Sequence, residues 1–324
     1  MVAMACAVSG CGGSTSSAVR GHQPEAFKVT ARYSARSLGL NDTSALAIGA
    51  DGDLYLTDLS QRVTVVSPDG RVLRRWGSRG RGPGEFHFVS TDPTAPKDIH
   101  AALAVGPHGT IYVSDSGNAR VEEFTPTGRF LRQLGGPGAG KGQFSGTFDL
   151  AVDRVGSVYV LDDGRPGLVT KFSQAGKVMW QVGGAASSNR DLTGHLHLSS
   201  IDSHGRLVLL DDDLGRVIYL DRNGHEVDAF TSRSKGFPPS QGGCEVTVDG
   251  VGNAYVTGCG RGPQCPAPVC AGTVVFDRAH HLIAEWASRR LPLRRSPQFG
   301  PRGEVFTLGT DGSLIRLRVT VPQR

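Results

Sequence analysis

Two groups of side chains in this chain have the types and spacing for chemistry. Asp98, His100, Asp149, His197 and Glu245 form the first. Carboxylates and imidazoles in such a set would hold a hard or borderline cation, calcium or zinc. The same groups would serve as general bases. No two of them share a tight metal-ligand motif, so only the fold can bring them together, and no cofactor is certain. Cys244, Cys259, Cys265 and Cys270 form the second group. A hairpin turning between Val251 and Gly252 would set Cys244 opposite Cys259, and Cys265 would then bridge to Cys270 across the PAPV segment. Closing a loop of roughly 15 residues contributes about 3 kcal/mol in the chain-entropy model. A four-thiolate zinc site is the competing reading, although its C-x2–4-C pairs do not match the x14, x5 and x4 spacings here. Free thiols are the third.

The elements that must position these residues repeat along the chain. ALAIGADGDLYLTD, ALAVGPHGTIYVSD and DLAVDRVGSVYVLD each read as strand, tight turn ending in Gly, second strand, then Asp. The turn glycines are Gly52, Gly109, Gly156, Gly205, Gly252 and Gly303, at intervals of 57, 47, 49, 47 and 51 residues. Third and fourth strands follow in each unit, rich in Val, Ile, Leu, Tyr and Phe, with turns such as SPDG and DRNG between them. A period near fifty built from four short strands predicts an all-β, six-bladed β-propeller. Within each unit the strands are named a to d, from the axis outwards.

The sixth unit lacks an outer strand, because the chain ends on IRLRVTVPQR, its third. The segment Phe27 to Ser34 is predicted to supply the missing strand and close the ring, leaving no sheet edge open to aggregation. One propeller then occupies residues 26–324. Residues 1–25 read as a truncated or atypical lipoprotein signal followed by a flexible tether.

SDSGNARVEEFTPTGRFLRQLGGPGAGKGQF, from Ser114 to Phe144, resembles an NHL repeat almost throughout. Its marks are Asp115, the Gly117-Asn118-x-Arg120 run, the turn at Gly128 and the Gly-rich loop ending in Gln-Phe. Blade 1 carries Asp58, Arg62 and GSRGRGPGEF, and blade 4 keeps Asp211 and Arg216. The likeness is specific in blades 1 and 2 and fades towards blades 5 and 6. It implies either a binding platform or sensor domain, or kinship with propeller lyases and hydrolases. Asp58, Asp115, Asp162 and Asp211 recur at one offset, which favours capping of backbone amides over chemistry. Asp149 likewise stands where such repeats often carry Asp, and His197 has packing against its blade neighbour as an alternative. The glycine-rich runs superficially resemble phosphate-cradling loops. Neither leads into a helix, so that mechanism is rejected.

The start of the chain, MVAMACAVSGCGGSTSS, resembles a bacterial lipoprotein processing site with Cys11 as the lipidated residue. It departs from that pattern upstream of Cys11, where no Lys or Arg stands in the ten residues present. A secreted protein without lipid and a cytosolic one with a chance Gly-Cys are the alternatives. The expected location is extracytoplasmic, with membrane attachment only through the lipid. A net charge of +5 gives no case for nucleic acid.

Two connections are long, both on the face shared by the d–a and b–c links: residues 87–101, and the cysteine-bearing stretch between Gly252 and Phe276. Function concentrates in long loops on rigid scaffolds. Gly-x-Ser-x-Gly, HExxH and triad-like sets are absent from the sequence. The expected role is therefore a binding or scaffold module for a protein, peptide or cell-envelope polymer docking on that face. The alternative is a metal-dependent lyase or lactonase-like enzyme with its site over the central channel. The oligomeric state is not readable from sequence.

Overall fold

Six four-stranded antiparallel sheets, five of them built from consecutive strands, follow one another around a common axis in the computed structural model. It describes residues 26–88, 101–145, 148–162, 167–184, 192, 196–232, 243–258, 272–286, 293 and 295–321. The first strand, β1 (Phe27–Tyr33), belongs to the last sheet. Blade 1 holds β2 (Thr43–Ile48), β3 (Leu54–Asp58), β4 (Arg62–Val66) and β5 (Val72–Trp76). A two-stranded parallel clip follows, β6 (Ser78–Arg79) with β7 (Glu85–Phe86). Blade 2 holds β8 (Leu103–Val105), β9 (Ile111–Asp115), β10 (Arg120–Phe124) and β11 (Phe130–Gly135). Blade 3 runs from β12 (Phe148–Val152) to β15 (Val178–Val182), and blade 4 from β16 (Leu196–Ile201) to β19 (Glu226–Thr231). Blade 5 runs from β20 (Gly243–Val248) through β21 (Ala254–Gly258) to β23 (Leu282–Trp286). Blade 6 is made of β24 (Gln298–Phe299), β25 (Val305–Leu308), β26 (Leu314–Val319) and β1. The fold is a six-bladed β-propeller, as the repeat predicts.

The strands near the axis are buried on both faces, which is why they read as nearly continuous apolar runs. Alternate residues serve alternate neighbours. Tyr55 packs into the layer between blades 1 and 2, while Leu54 and Leu56 pack between blades 6 and 1. Six such apolar layers separate the six blades, so the core is a ring of interfaces rather than one central cluster. The c–d turns seal these layers from outside. Gly128, at φ +90°, leaves room only for the Trp76 indole of the previous blade; a Cβ there would stand 2.6 Å from the ring. Blade 5 has His280 at that position, also left-handed at φ +62°, and its imidazole stacks on Phe230 with centroids 4.4 Å apart.

Closure follows the sequence expectation. β1 pairs with β26 from Phe27↔Val319 to Tyr33↔Leu314. Its two ends grip both neighbouring blades. Phe27 stacks on Trp286 of blade 5 at 5.0 Å, and Tyr33 covers Gly70 of blade 1.

The cysteine register expected from sequence needs correction. β20 pairs with β21 as Glu245↔Thr257, then shifts at a bulge so that Gly243 faces Gly258. Cys244 sits in that bulge with no cross-strand partner. A hairpin centre counted from the turn cannot anticipate the extra residue. The expected register, with Cys244 in a continuous ladder to the end of β21, therefore does not hold among the described residues. Cys259, Cys265 and Cys270 lie outside the described residues, as do Cys11, Asp98, His100 and most of both long connections.

Candidate functional site at the axial cavity

The repeated aspartates fix the loops around the site. Asp58 accepts hydrogen bonds from the backbone N–H groups of Asn41 and Ser60, Asp115 from His87, Asp162 from Ser145, and Asp211 from Leu214. Three of these donors lie in the d–a connection entering the same blade, so each carboxylate ties that connection to the end of strand b. The Gly-rich loops turn their amides inwards. Glu85 Oε2 accepts from Arg81 N and Gly82 N, and Gln143 Oε1 accepts from Gly140 N. Arg120 closes the first loop by donating to the carbonyls of Arg81, Gly82 and Glu85, at 2.8 Å each. Those loops bind themselves.

Arg120 also meets two carboxylates, Asp115 at 2.9 Å and Glu122 at 3.1 Å. Its side chain is 8% exposed and both partners are 0% exposed, so the cluster is dry. Burial pushes the Glu122 carboxyl up to about 7, against the opposing pull of Arg120 and the Gly84 N–H.

A second set of charges stands at the axis. In each of the first five blades, one residue of strand a faces the residue just before the end of strand b. These are Ala45 opposite Thr57, Ala102 opposite Ser114, Asp149 opposite Leu161, His197 opposite Leu210 and Glu245 opposite Thr257. A bulge between Leu198 and Ser200 brings His197, not Leu198, to this level. In blade 6 the chain approaches the axis at Arg295, whose carbonyl accepts from the Thr307 hydroxyl. Blades 1 and 2 thus offer methyl groups, and blades 3 to 6 offer ionisable ones.

A cavity of about 50 Å³ opens here, lined by residues from all six blades, including Ala45, Ala102, Asp149, Glu245, Arg295 and Gln298. It has room for a few waters or a small polar group. Asp149 Oδ2 accepts from Leu198 N of blade 4 at 3.3 Å. Glu245 Oε2 accepts from Ser296 N of blade 6 at 2.6 Å. Arg295 donates Nε to the Ser44 carbonyl of blade 1 at 2.9 Å. Each is latched by one atom to the main chain of the next blade. Glu245 is enclosed by protein yet keeps partial solvent contact through the cavity. Burial raises its carboxyl above the usual glutamate range, with Arg295 opposing the shift. His197 flanks the cavity, its Nδ1 3.8 Å from Asp149 and its Nε2 3.4 Å from Asp212.

Of the five residues singled out from sequence, Asp149, His197 and Glu245 meet at this level; Asp98 and His100 are outside the described residues. The three do not form a compact ligand set. Among the described residues, the trio whose donor atoms all lie within 4.8 Å of one another is Asp211, Asp212 and Asp213. Sequence reading missed Arg295. Blade 6 has a two-residue strand a, so the count back from Gly303 gave no pattern that marked it.

Comparison with known proteins agrees with the fold. No family model matches the chain. It is 25% identical over 178 residues to protein brain tumor of Drosophila melanogaster, a match covering 55% of this chain and 16% of that protein. The chain thus spans about a sixth of that relative's length. This supports an NHL-like assignment of the repeat and nothing finer. Among solved structures, a streptogramin B lyase superposes with a TM-score of 0.57 at 11% identity, covering 91% of this chain and 98% of the other. A gluconolactonase from Xanthomonas campestris gives 0.58 at 17% identity, covering 87% of each chain. At these identities the likeness is one of fold. Among the described residues, no helix is long and apolar enough to cross a membrane.

Proposed function

We propose that the protein is an NHL-like binding propeller whose ligand docks on the face of the d–a and b–c connections, placing a polar group in the axial cavity. The observation carrying this reading is the latching of Asp149, Glu245 and Arg295. Each spends one atom on the neighbouring blade while its side chain lines the cavity, an arrangement preorganised for a ligand. We also propose export with lipid attachment at Cys11, on the strength of the Val-Ser-Gly-Cys run and the Gly/Ser stretch after it.

An enzyme is the second reading, favoured by one observation. A buried glutamate with a raised pKa shares the axial region with a histidine set between two aspartates, the composition of a general acid–base pair. The activities for which the lyase and gluconolactonase neighbours are named extend to this chain only as proposals.

Thermal unfolding with a panel of amino acids, sugar acids, lactones, short peptides and divalent cations tests the main reading. A true ligand at about 100 times its Kd adds about 2.7 kcal/mol to stability. That gain should fall to about half or less in Glu245→Gln. A panel without stabilising members, or stabilisation untouched by the substitution, sinks the docking site. Lactone or ester turnover abolished by His197→Ala would put the enzyme first.

A further inference from the structure

We infer that the axial cavity receives a zwitterionic α-amino-acid head group, its carboxylate on Arg295 and its ammonium against Asp149 and Glu245. This rests on the reading that the cavity face is the docking face.

The cavity holds charges of both signs apart. Arg295 and the two carboxylates line the same small cavity. The Arg295 charge pulls on the Glu245 carboxyl and His197 stands 3.8 Å from Asp149, yet no N–O contact within 4 Å joins Arg295 to either carboxylate. The latches explain how opposite charges stay separated. The Arg295 guanidinium is pinned by Nε to Ser44, so Nη1 and Nη2 have no partner among the described residues. Glu245 is pinned by Oε2 and Asp149 by Oδ2, so Oε1 and Oδ1 are likewise without partners among the described residues. The cavity therefore presents a fixed fork of donors beside two fixed acceptors.

Ligands of one sign fit this badly. A divalent cation would meet a guanidinium in the same low-dielectric space, and phosphate would meet two carboxylates. A neutral apolar group would leave all three polar groups dehydrated. A molecule with an anion and a cation a bond or two apart satisfies all of them. A planar carboxylate matches the guanidinium fork, and an ammonium offers three N–H donors to Oε1 and Oδ1. The cavity volume of about 50 Å³ requires both charges to be close together, as on one α-carbon. Ala45 and Ala102, from the two blades that bring no charge to this level, supply a small apolar stretch of the lining, where a methyl side chain or a tail leading out of the mouth would lie. The head group has two sources: a free amino acid, or a side branch of a larger molecule.

Calorimetric titration of the full chain with alanine tests this, beside N-acetylalanine, alanine amide, calcium chloride and inorganic phosphate. Nε-acetyl-lysine, which carries the same head group on a tail, separates the two sources. Alanine or Nε-acetyl-lysine should bind, and each blocked alanine at least about tenfold more weakly, the weight of one charge-assisted contact. Arg295→Gln, which keeps a donor for Ser44, should erase the preference for alanine over its amide. Glu245→Gln should erase the preference over N-acetylalanine. Should one variant fail to fold, the other reads its own half of the recognition. A blocked analogue within about threefold of alanine overturns the proposal, as does tighter binding of calcium or phosphate. If neither amino acid binds while another member of the thermal panel stabilises in a Glu245-dependent way, the zwitterion falls and the docking face stands. If nothing binds, both fall.

Discussion

Blade 2 and the axis each contain one arginine and two carboxylates, and they are arranged in opposite ways. Around Arg120 every charge is matched: two carboxylates within 3.1 Å and three carbonyls at 2.8 Å, with all side chains dry. Around Arg295 only Nε has a partner among the described residues, and Asp149 and Glu245 stand apart. The same residue types make a rivet in one place and a receptor in the other. A closed network spends its polar atoms on itself, whereas the open one keeps them for something else. Composition alone would not separate the two.

The largest expected effect asks whether either arrangement exists without ring closure. Removing residues 1–35 deletes β1, the Phe27–Trp286 stack and the cover over Gly70. Cooperative thermal unfolding should be lost or fall by well over ten degrees, since the cost exceeds the ~1 kcal/mol that moves Tm a few degrees. An unchanged melting temperature would refute the closing role of β1.

The next breaks the rivet. Arg120→Ala strands two buried carboxylates and three carbonyls, and should cost about 3–5 kcal/mol by urea denaturation. Arg120→Lys, with the charge but not the planar fork, should fall between. A loss under about 1 kcal/mol for the alanine variant would mean that the network is not closed as described.

A subtler effect separates the rivet by pH. Glu122 faces Arg120, Asp115, Glu85 and the Gly84 N–H. Its carboxyl is raised in the fold, so its contribution to stability is present below pH 4.5 and is lost as pH rises to about 7. Glu122→Gln should flatten that part of the stability profile while leaving the melting temperature at low pH nearly unchanged. A wild-type slope that persists in the variant would assign it elsewhere.

The smallest effect belongs to the receptor. Glu245→Gln preserves an acceptor for Ser296 N, so its stability should change by less than about 1 kcal/mol, one neutral hydrogen bond's worth. A large loss would make Glu245 a second rivet and remove the contrast.

Much of this was legible in the residues themselves. The spacing of the turn glycines dictated six four-stranded units, because each turn needs a left-handed residue at one place. The missing outer strand after β26 pointed back to Phe27, since an unpaired edge in a closed ring has only one strand left to fill it. The recurrence of Asp58, Asp115, Asp162 and Asp211 marked a shared backbone-capping role.

Tertiary structure decided what counting could not. Single-residue bulges raised His197 to the level of Asp149 and left Cys244 outside the β20–β21 ladder. A period-two strand exchanges faces with each inserted residue, and no local pattern announces the insertion. Arg295 stands three residues before the two-residue strand β24, outside any strand, so periodicity had nothing to detect there. That charges from blades 3, 5 and 6 meet in one cavity without pairing is a property of ring closure. Residues about 50 to 150 positions apart become neighbours only when every blade is in place.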